Sequence, residues 1–168
     1  MGMGKRLLAP HYWIFEINMP KSAGGKIIVY TDGGSRGNPG PAALGVVIQD
    51  AKSNLIKEYG EALGVKTNNE AEYSAVISAL QKIKALYGKE KTKKIHIDMR
   101  MDSELVCRQL NGEYKMEAES LFGLFIKIWN LKMDFGEVRF SNVPREKNKE
   151  ADRMVNETLD RPKAKSLF

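Results

Sequence analysis

The chain has 168 residues, with 27 Lys or Arg against 21 Asp or Glu and a formal charge of +6. That length is one ordinary domain, long enough to bury a core, and the positive balance points toward a polyanionic partner. A single cysteine, Cys107, excludes an internal disulfide and a cysteine-built zinc site and fits a reducing compartment such as the cytoplasm. No apolar run is long enough to span a membrane.

Residues 1–25 read as an N-terminal extension. Pro10, His11 and Glu16 interrupt its apolar part, and no small-residue cleavage pattern follows, so it is not read as a signal peptide. Its Trp13, Ile14 and Phe15 suit docking on the domain or adding a strand. Residues 26–160 read as the domain itself. Ile27 to Asp32 alternates as a strand, Ala42 to Gln49 is its hairpin partner, and the glycines, asparagine and prolines from Gly33 to Pro41 supply the turn. Leu55 to Leu63 reads as a third strand, which completes an antiparallel meander. A helix starts near Asn68 or Asn69 and runs to Tyr87, with Val76, Ala79, Leu80 and Ile83 at helical spacing. The strand Ile95 to Met101 follows, then a short helix from Ser103 to Leu110 stopped by Asn111-Gly112. Met116 to Phe135 reads as one long helix, Glu137 to Val143 as a last strand, Lys147 to Leu159 as a last helix, and residues 161–168 as a tail. Three meander strands followed by alternating helices and strands make an α/β domain: a mixed five-stranded sheet flanked by helices.

Four segments each place a carboxylate at or near an element end. They are Thr31-Asp32-Gly33-Gly34-Ser35, Thr67-Asn68-Asn69-Glu70-Ala71-Glu72-Tyr73, Met101-Asp102-Ser103 and Asn148-Lys149-Glu150-Ala151-Asp152. Acids gathered at one place need cations, and a set of hard oxygen donors suits Mg²⁺ or Mn²⁺. Glu70 and Glu72 compete for one role. Two residues along a helix are about 200° apart, so Glu72 joins the sheet-facing stripe of Ala75, Val76 and Ala79, while Glu70 faces solvent and favours the helix dipole. Other readings stay open at this level. Asp102 could cap the helix after it, Asp152 could be an ordinary exposed helical charge, Asn38 a turn residue, and Asn68 or Asn69 a helix cap.

In this order and with these neighbours, including Asp32-Gly-Gly-Ser-Arg-Gly-Asn-Pro-Gly40, the four segments resemble a type 1 ribonuclease H over about Lys26 to Leu159. The resemblance implies hydrolysis of the RNA strand of RNA–DNA hybrids with two Mg²⁺ or Mn²⁺ ions, giving 5′-phosphate and 3′-hydroxyl products. It implies that Asp32 bridges both ions, that Glu72 and Asp102 complete one site, and that Asp152 completes the other. Positions matching Asn38 and Thr67 hold a phosphate of the DNA strand in similar enzymes, and those matching Asn68 and Asn69 reach the minor groove. Gly33, Gly34 and Ser35 are expected to bring backbone close to the RNA strand, where the 2′-hydroxyl is read.

The chain departs from the family pattern in two places. The loop Val143-Pro-Arg-Glu-Lys-Asn148 lacks the histidine that many members carry there, and Arg145 stands in its region, as in archaeal and related short-loop members. The extra basic helix that grips hybrid is absent, which leaves Lys89, Lys91, Lys93, Lys94, Lys147 and Lys149 as candidates for that grip. Two alternatives accompany the main reading: a nuclease that also cuts double-stranded RNA, and a catalytically inactive hybrid-binding module. The tail, Ala164-Lys-Ser-Leu-Phe168, ends in an apolar pair that either folds back or resembles the short peptides that bind replication sliding clamps.

Overall fold

A single sheet of five strands organises the computed structural model, which describes residues 25–162. The readings placed on Trp13, Ile14, Phe15, Leu167 and Phe168 lie outside the described residues. Strands β1 (Lys26–Ser35), β2 (Gly40–Asp50) and β3 (Leu55–Lys66) form the expected antiparallel meander. Helices α1 (Asn68–Tyr87) and α2 (Lys89–Thr92) lead to β4 (His96–Met101), then α3 (Glu104–Leu110), α4 (Phe122–Lys132), β5 (Glu137–Asn142) and α5 (Lys149–Asp160). The order across the sheet is β3-β2-β1-β4-β5, with β4 parallel to both β1 and β5. Helices α1 and α4 cover one face over a core of Val29, Val46, Tyr73, Leu80, Ile97 and Met99. Helix α5 lies on the other face, across β1, β2 and β3.

Glycines set how closely α5 approaches. A Cβ on Gly45 would lie 2.1 Å from the Ala151 carbonyl oxygen, and one on Gly60 would lie 2.1 Å from Thr158 Oγ1. Gly45 and Gly60 are cross-strand partners, so together they form a side-chain-free track in which α5 rests on bare backbone.

Three element boundaries differ from the sequence reading. Strand β1 continues past Asp32 to Ser35, so Gly33 and Gly34 are strand residues and the turn comes later. The long helix expected over Met116 to Phe135 is shorter. Residues 113–118 are not helical, a 3₁₀ turn spans Glu119–Leu121, and α4 begins at Phe122. The break has a tertiary cause. The buried Tyr73 hydroxyl, which donates to Gln109 Oε1 at 2.9 Å, also contacts Met116 Sδ at 3.7 Å, and Gln109 Nε2 donates to the Lys115 carbonyl. These contacts hold the segment extended against the domain. Finally, the helix expected from Lys147 starts at Lys149, after a 3₁₀ turn at Arg145–Lys147.

Candidate active site

Strand register brings the first two acids together. β1 and β4 run parallel, and their ladder ends with Thr31 opposite Met101. The next residue on each strand is therefore an aspartate, Asp32 beside Asp102. Helix α1 then crosses β1 at Gly33, where a Cβ would meet the Ala71 and Glu72 backbone within 2.4 Å. Only a glycine allows that crossing, and it delivers Glu72 to the same point. Carboxylate oxygens of Asp32, Glu72 and Asp102 all lie within 4.8 Å of one another. Asp152 comes from the first turns of α5 and lines the same cleft, though it stands outside that tight triad.

The electrostatics follow from the crowding. Asp32 is 7% exposed. Burial, then the charge of Asp102 and that of Asp152, push its carboxyl up to about 7, against hydrogen bonds from Glu72 and the Gly33 N–H that pull it down. Glu72 is raised well above the ordinary carboxyl range by burial and by the charges of Asp32 and Asp102. The two carboxyls are hydrogen-bonded to each other, so they titrate as a pair, and in the absence of cations both resist ionising together.

The structural duties that competed for these residues fall to their neighbours. Ser103, not Asp102, caps α3, its Oγ accepting the Val106 N–H at 3.3 Å. Thr67, not Asn68 or Asn69, caps α1 in a capping box with Glu70: Thr67 Oγ1 accepts the Glu70 N–H at 3.2 Å, and Glu70 Oε2 accepts the Thr67 N–H at 2.8 Å. That bond holds the Glu70 carboxyl below its ordinary range. Asp102 and Glu72 are therefore free of capping roles, whereas Thr67 spends its hydroxyl on the helix.

The cleft has a volume of about 470 Å³. It is lined by Asp32, Gly33, Gly34, Ser35, Asn68, Glu72, Asp102, Arg145 and Asp152, all expected from the sequence, and by Arg36, Ser103, Val155, Asn156 and Leu159, which were not. Asn38, Thr67 and Asn69 lie beyond this lining. Asn38 and Asn68 are nonetheless interlocked: Asn38 Oδ1 accepts the Asn68 N–H at 3.0 Å, and Asn68 Oδ1 accepts the Ser35 N–H at 2.9 Å. Both side-chain carbonyls are thus committed, and the two amide NH₂ groups remain as donors. The glycines also have a packing purpose. Gly33 faces α1, and a Cβ on Gly34 would lie 3.3 Å from Val155 Cγ1 of α5, so their missing side chains make room for helices. Arg145 is 81% exposed at the mouth, with Nη2 4.0 Å from Asp152 Oδ1. Asn156 Nδ2 donates to Asp152 Oδ2 at 3.2 Å, and no sequence pattern marked that residue. Lys89 to Lys94 precede β4 whereas Asp102 follows it, so these lysines are about 20 Å from the acids, six strand residues away.

Comparison with known proteins agrees with this geometry. The reverse transcriptase-like family model matches residues 30–158. Ribonuclease HI of Halobacterium salinarum is 39% identical over 137 residues, 82% of this chain and 66% of that protein. A bifunctional protein of Mycobacterium tuberculosis is 37% identical over 136 residues, and this chain spans 36% of it. Among solved structures, a ribonuclease H1 isolated from compost is 47% identical with a TM-score of 0.76, over 80% of this chain and 96% of that one. The same compost enzyme has been solved in complex with RNA/DNA hybrid. The ribonuclease H1 structure from Halobacterium salinarum is 38% identical with a TM-score of 0.74, over 81% of this chain and 98% of that one. No helix among the described residues is long and apolar enough to cross a membrane.

Proposed function

Given that the chain belongs to the type 1 ribonuclease H family, we propose that it hydrolyses the RNA strand of RNA–DNA hybrids to 5′-phosphate and 3′-hydroxyl products. The observation that carries this reading is the triad of Asp32, Glu72 and Asp102 within 4.8 Å at the floor of an open cleft. Acids this close hold protons that ordinary carboxyls release, and hard divalent cations are the partners that let them ionise together. An all-oxygen donor set fits Mg²⁺ or Mn²⁺. Two such ions, bound with substrate, would activate a water and neutralise charge on the leaving 3′ oxygen.

The chain's own groups do the rest. Asp32, flanked by the other acids, would serve both ions, with Glu72 and Asp102 helping to hold one and Asp152 the other. Asn38 and Asn68 present N–H donors on one rim, which suit phosphate oxygens and the acceptor-rich minor groove. Thr67 supports that rim as the cap of α1, and Asn69 stands beside it with no side-chain hydrogen bond among the described residues. The backbone of Gly33, Gly34 and Ser35 lines the cleft beside the acids, which suits it to approach the RNA strand. Arg145 reaches over the mouth toward Asp152 and attracts the cleaved phosphate outward, which favours product release.

The test is cleavage of one end-labelled RNA strand paired with DNA, paired with RNA, or alone, each with Mg²⁺ or Mn²⁺. Cleavage of the hybrid's RNA strand with 5′-phosphate ends is expected. Failure to cut hybrid with either ion refutes the proposal, and the duplex-RNA arm defines the breadth of substrate.

A further inference from the structure

Where the start of α5 meets β1 lies one buried residue, Asn148, which is 1% exposed. Its Nδ2 donates to the Thr31 carbonyl at 2.9 Å, and Thr31 is the residue before Asp32. Its own carbonyl accepts the Asp152 N–H at 3.1 Å, the first helical bond of α5. A single residue therefore joins the backbone at Asp32 to the backbone at Asp152.

We propose that Asn148 is a positioning residue that sets the distance from Asp152 to the Asp32 triad, and so the affinity for the cation that Asp152 helps to hold. The proposal rests on the two-cation reading above. Stability is a poor explanation for this amide. Its Oδ1 is buried with no hydrogen-bond partner among the described residues, as is the neighbouring Thr31 Oγ1. The cost of an unpaired buried carbonyl offsets what one neutral hydrogen bond contributes, so an isosteric apolar side chain would hold the fold as well. It would not hold the register of α5 against β1. Helix α5 rests on the bare glycine track of Gly45 and Gly60, which supports the helix from below but offers no directional bond along its axis. Arg153 to Glu58 and Arg36 to Asp160 also tie α5 to its neighbours, but through long, solvent-facing side chains; Asn148 supplies the buried bond that stops it sliding. Asp152 has particular need of that stop, because it stands apart from the triad while its carboxylate contacts Asn156 and approaches Arg145.

The test uses Asn148→Leu, which keeps the branched skeleton of the side chain and removes both the donor and the unpaired acceptor, with Asn148→Ala as the second variant should the larger leucine fail to fold. Four readouts are taken on the full chain. Melting temperature in chelator is expected to equal or exceed the parent's for Asn148→Leu. Amide exchange over residues 149–153 in metal-free protein is expected to rise at least tenfold, with α1 unchanged. Mn²⁺ binding, followed by electron paramagnetic resonance, is expected to weaken at least fivefold, and half-saturating Mg²⁺ for hybrid cleavage to rise about tenfold with KM for hybrid within twofold. Exchange and Mn²⁺ affinity both within twofold of the parent overturn the proposal. So does a loss of activity that follows a fall in melting temperature and recovers on cooling, because that is a structural role alone. Exchange and Mn²⁺ binding need no cleavage, so they decide the point even if the parent proves inactive on hybrid.

Discussion

Asp32→Asn is expected to make the metal-free protein more stable while abolishing its activity. The substitution is nearly isosteric and removes one charge from a cluster spanning 4.8 Å. In the folded parent the Asp32 carboxyl is pushed up to about 7 by burial and then by its acidic neighbours, against 3.8 as its ordinary value. The folded state then binds more protons than the unfolded chain between about pH 4 and 7. Stability falls as pH rises through that window, and the full penalty is present above it. At 1.36 kcal/mol per unit the rise corresponds to about 4 kcal/mol. Asp32 and Glu72 titrate as a coupled pair, so part of that penalty belongs to Glu72, which leaves about 2–4 kcal/mol to be recovered at pH 8. For a domain of this size that is a melting-temperature increase of roughly 6–15 °C. The assay is thermal unfolding in chelator at pH 4.5 and pH 8, repeated at pH 8 with Mg²⁺ or Mn²⁺. The stabilisation is expected at pH 8, is smaller at pH 4.5, and narrows when cations stabilise the parent. Cleavage of hybrid is expected to fall at least a thousandfold. A variant no more stable than the parent at pH 8, or equally shifted at both pH values, refutes the repulsion argument.

Glu70→Gln keeps an acceptor for the Thr67 N–H and is expected to leave cleavage within twofold, whereas Glu72→Gln abolishes it; the reverse pattern in a cleavage assay would reassign the ligand. Gly45→Ala drives a methyl group into the Ala151 carbonyl and is expected to cost about 3 kcal/mol or more in denaturant unfolding, with loss of activity as α5 lifts. Asn38→Asp preserves the acceptor for the Asn68 N–H but swaps the outward donor for a charge, so KM for hybrid rises about tenfold with melting unchanged; unchanged KM would remove this rim from the interface. Arg145→Ala is expected to slow steady-state turnover several-fold while single-turnover cleavage stays near the parent's, and equal severe loss in both would place Arg145 in the chemistry itself.

Features governed by local geometry were legible in the linear text. The 200° between Glu70 and Glu72 is a property of any helix, so which one faces the sheet was readable from Ala75, Val76 and Ala79, and the structure agrees. The meander, the order of the elements and the two acids that follow paired strand ends were readable for the same reason: alternation and turn chemistry are written within a few residues. What remained hidden depends on a second element arriving from far along the chain. Gly33 and Gly34 read as a turn, yet they are strand residues whose bare faces admit α1 and α5. Met116 to Phe135 has a helical period throughout, yet Tyr73 and Gln109 hold its start extended, and Phe122, Ile126, Trp129 and Met133 stay exposed on what is left. Lys89 to Lys94 stand at the far end of β4 from the acids, a placement that only the length of that strand decides. Periodicity reports which residues share a face. It does not report what comes to rest on that face, and so the register of α5, its glycine track and the bond from Asn148 to Thr31 were decided only when the chain closed on itself.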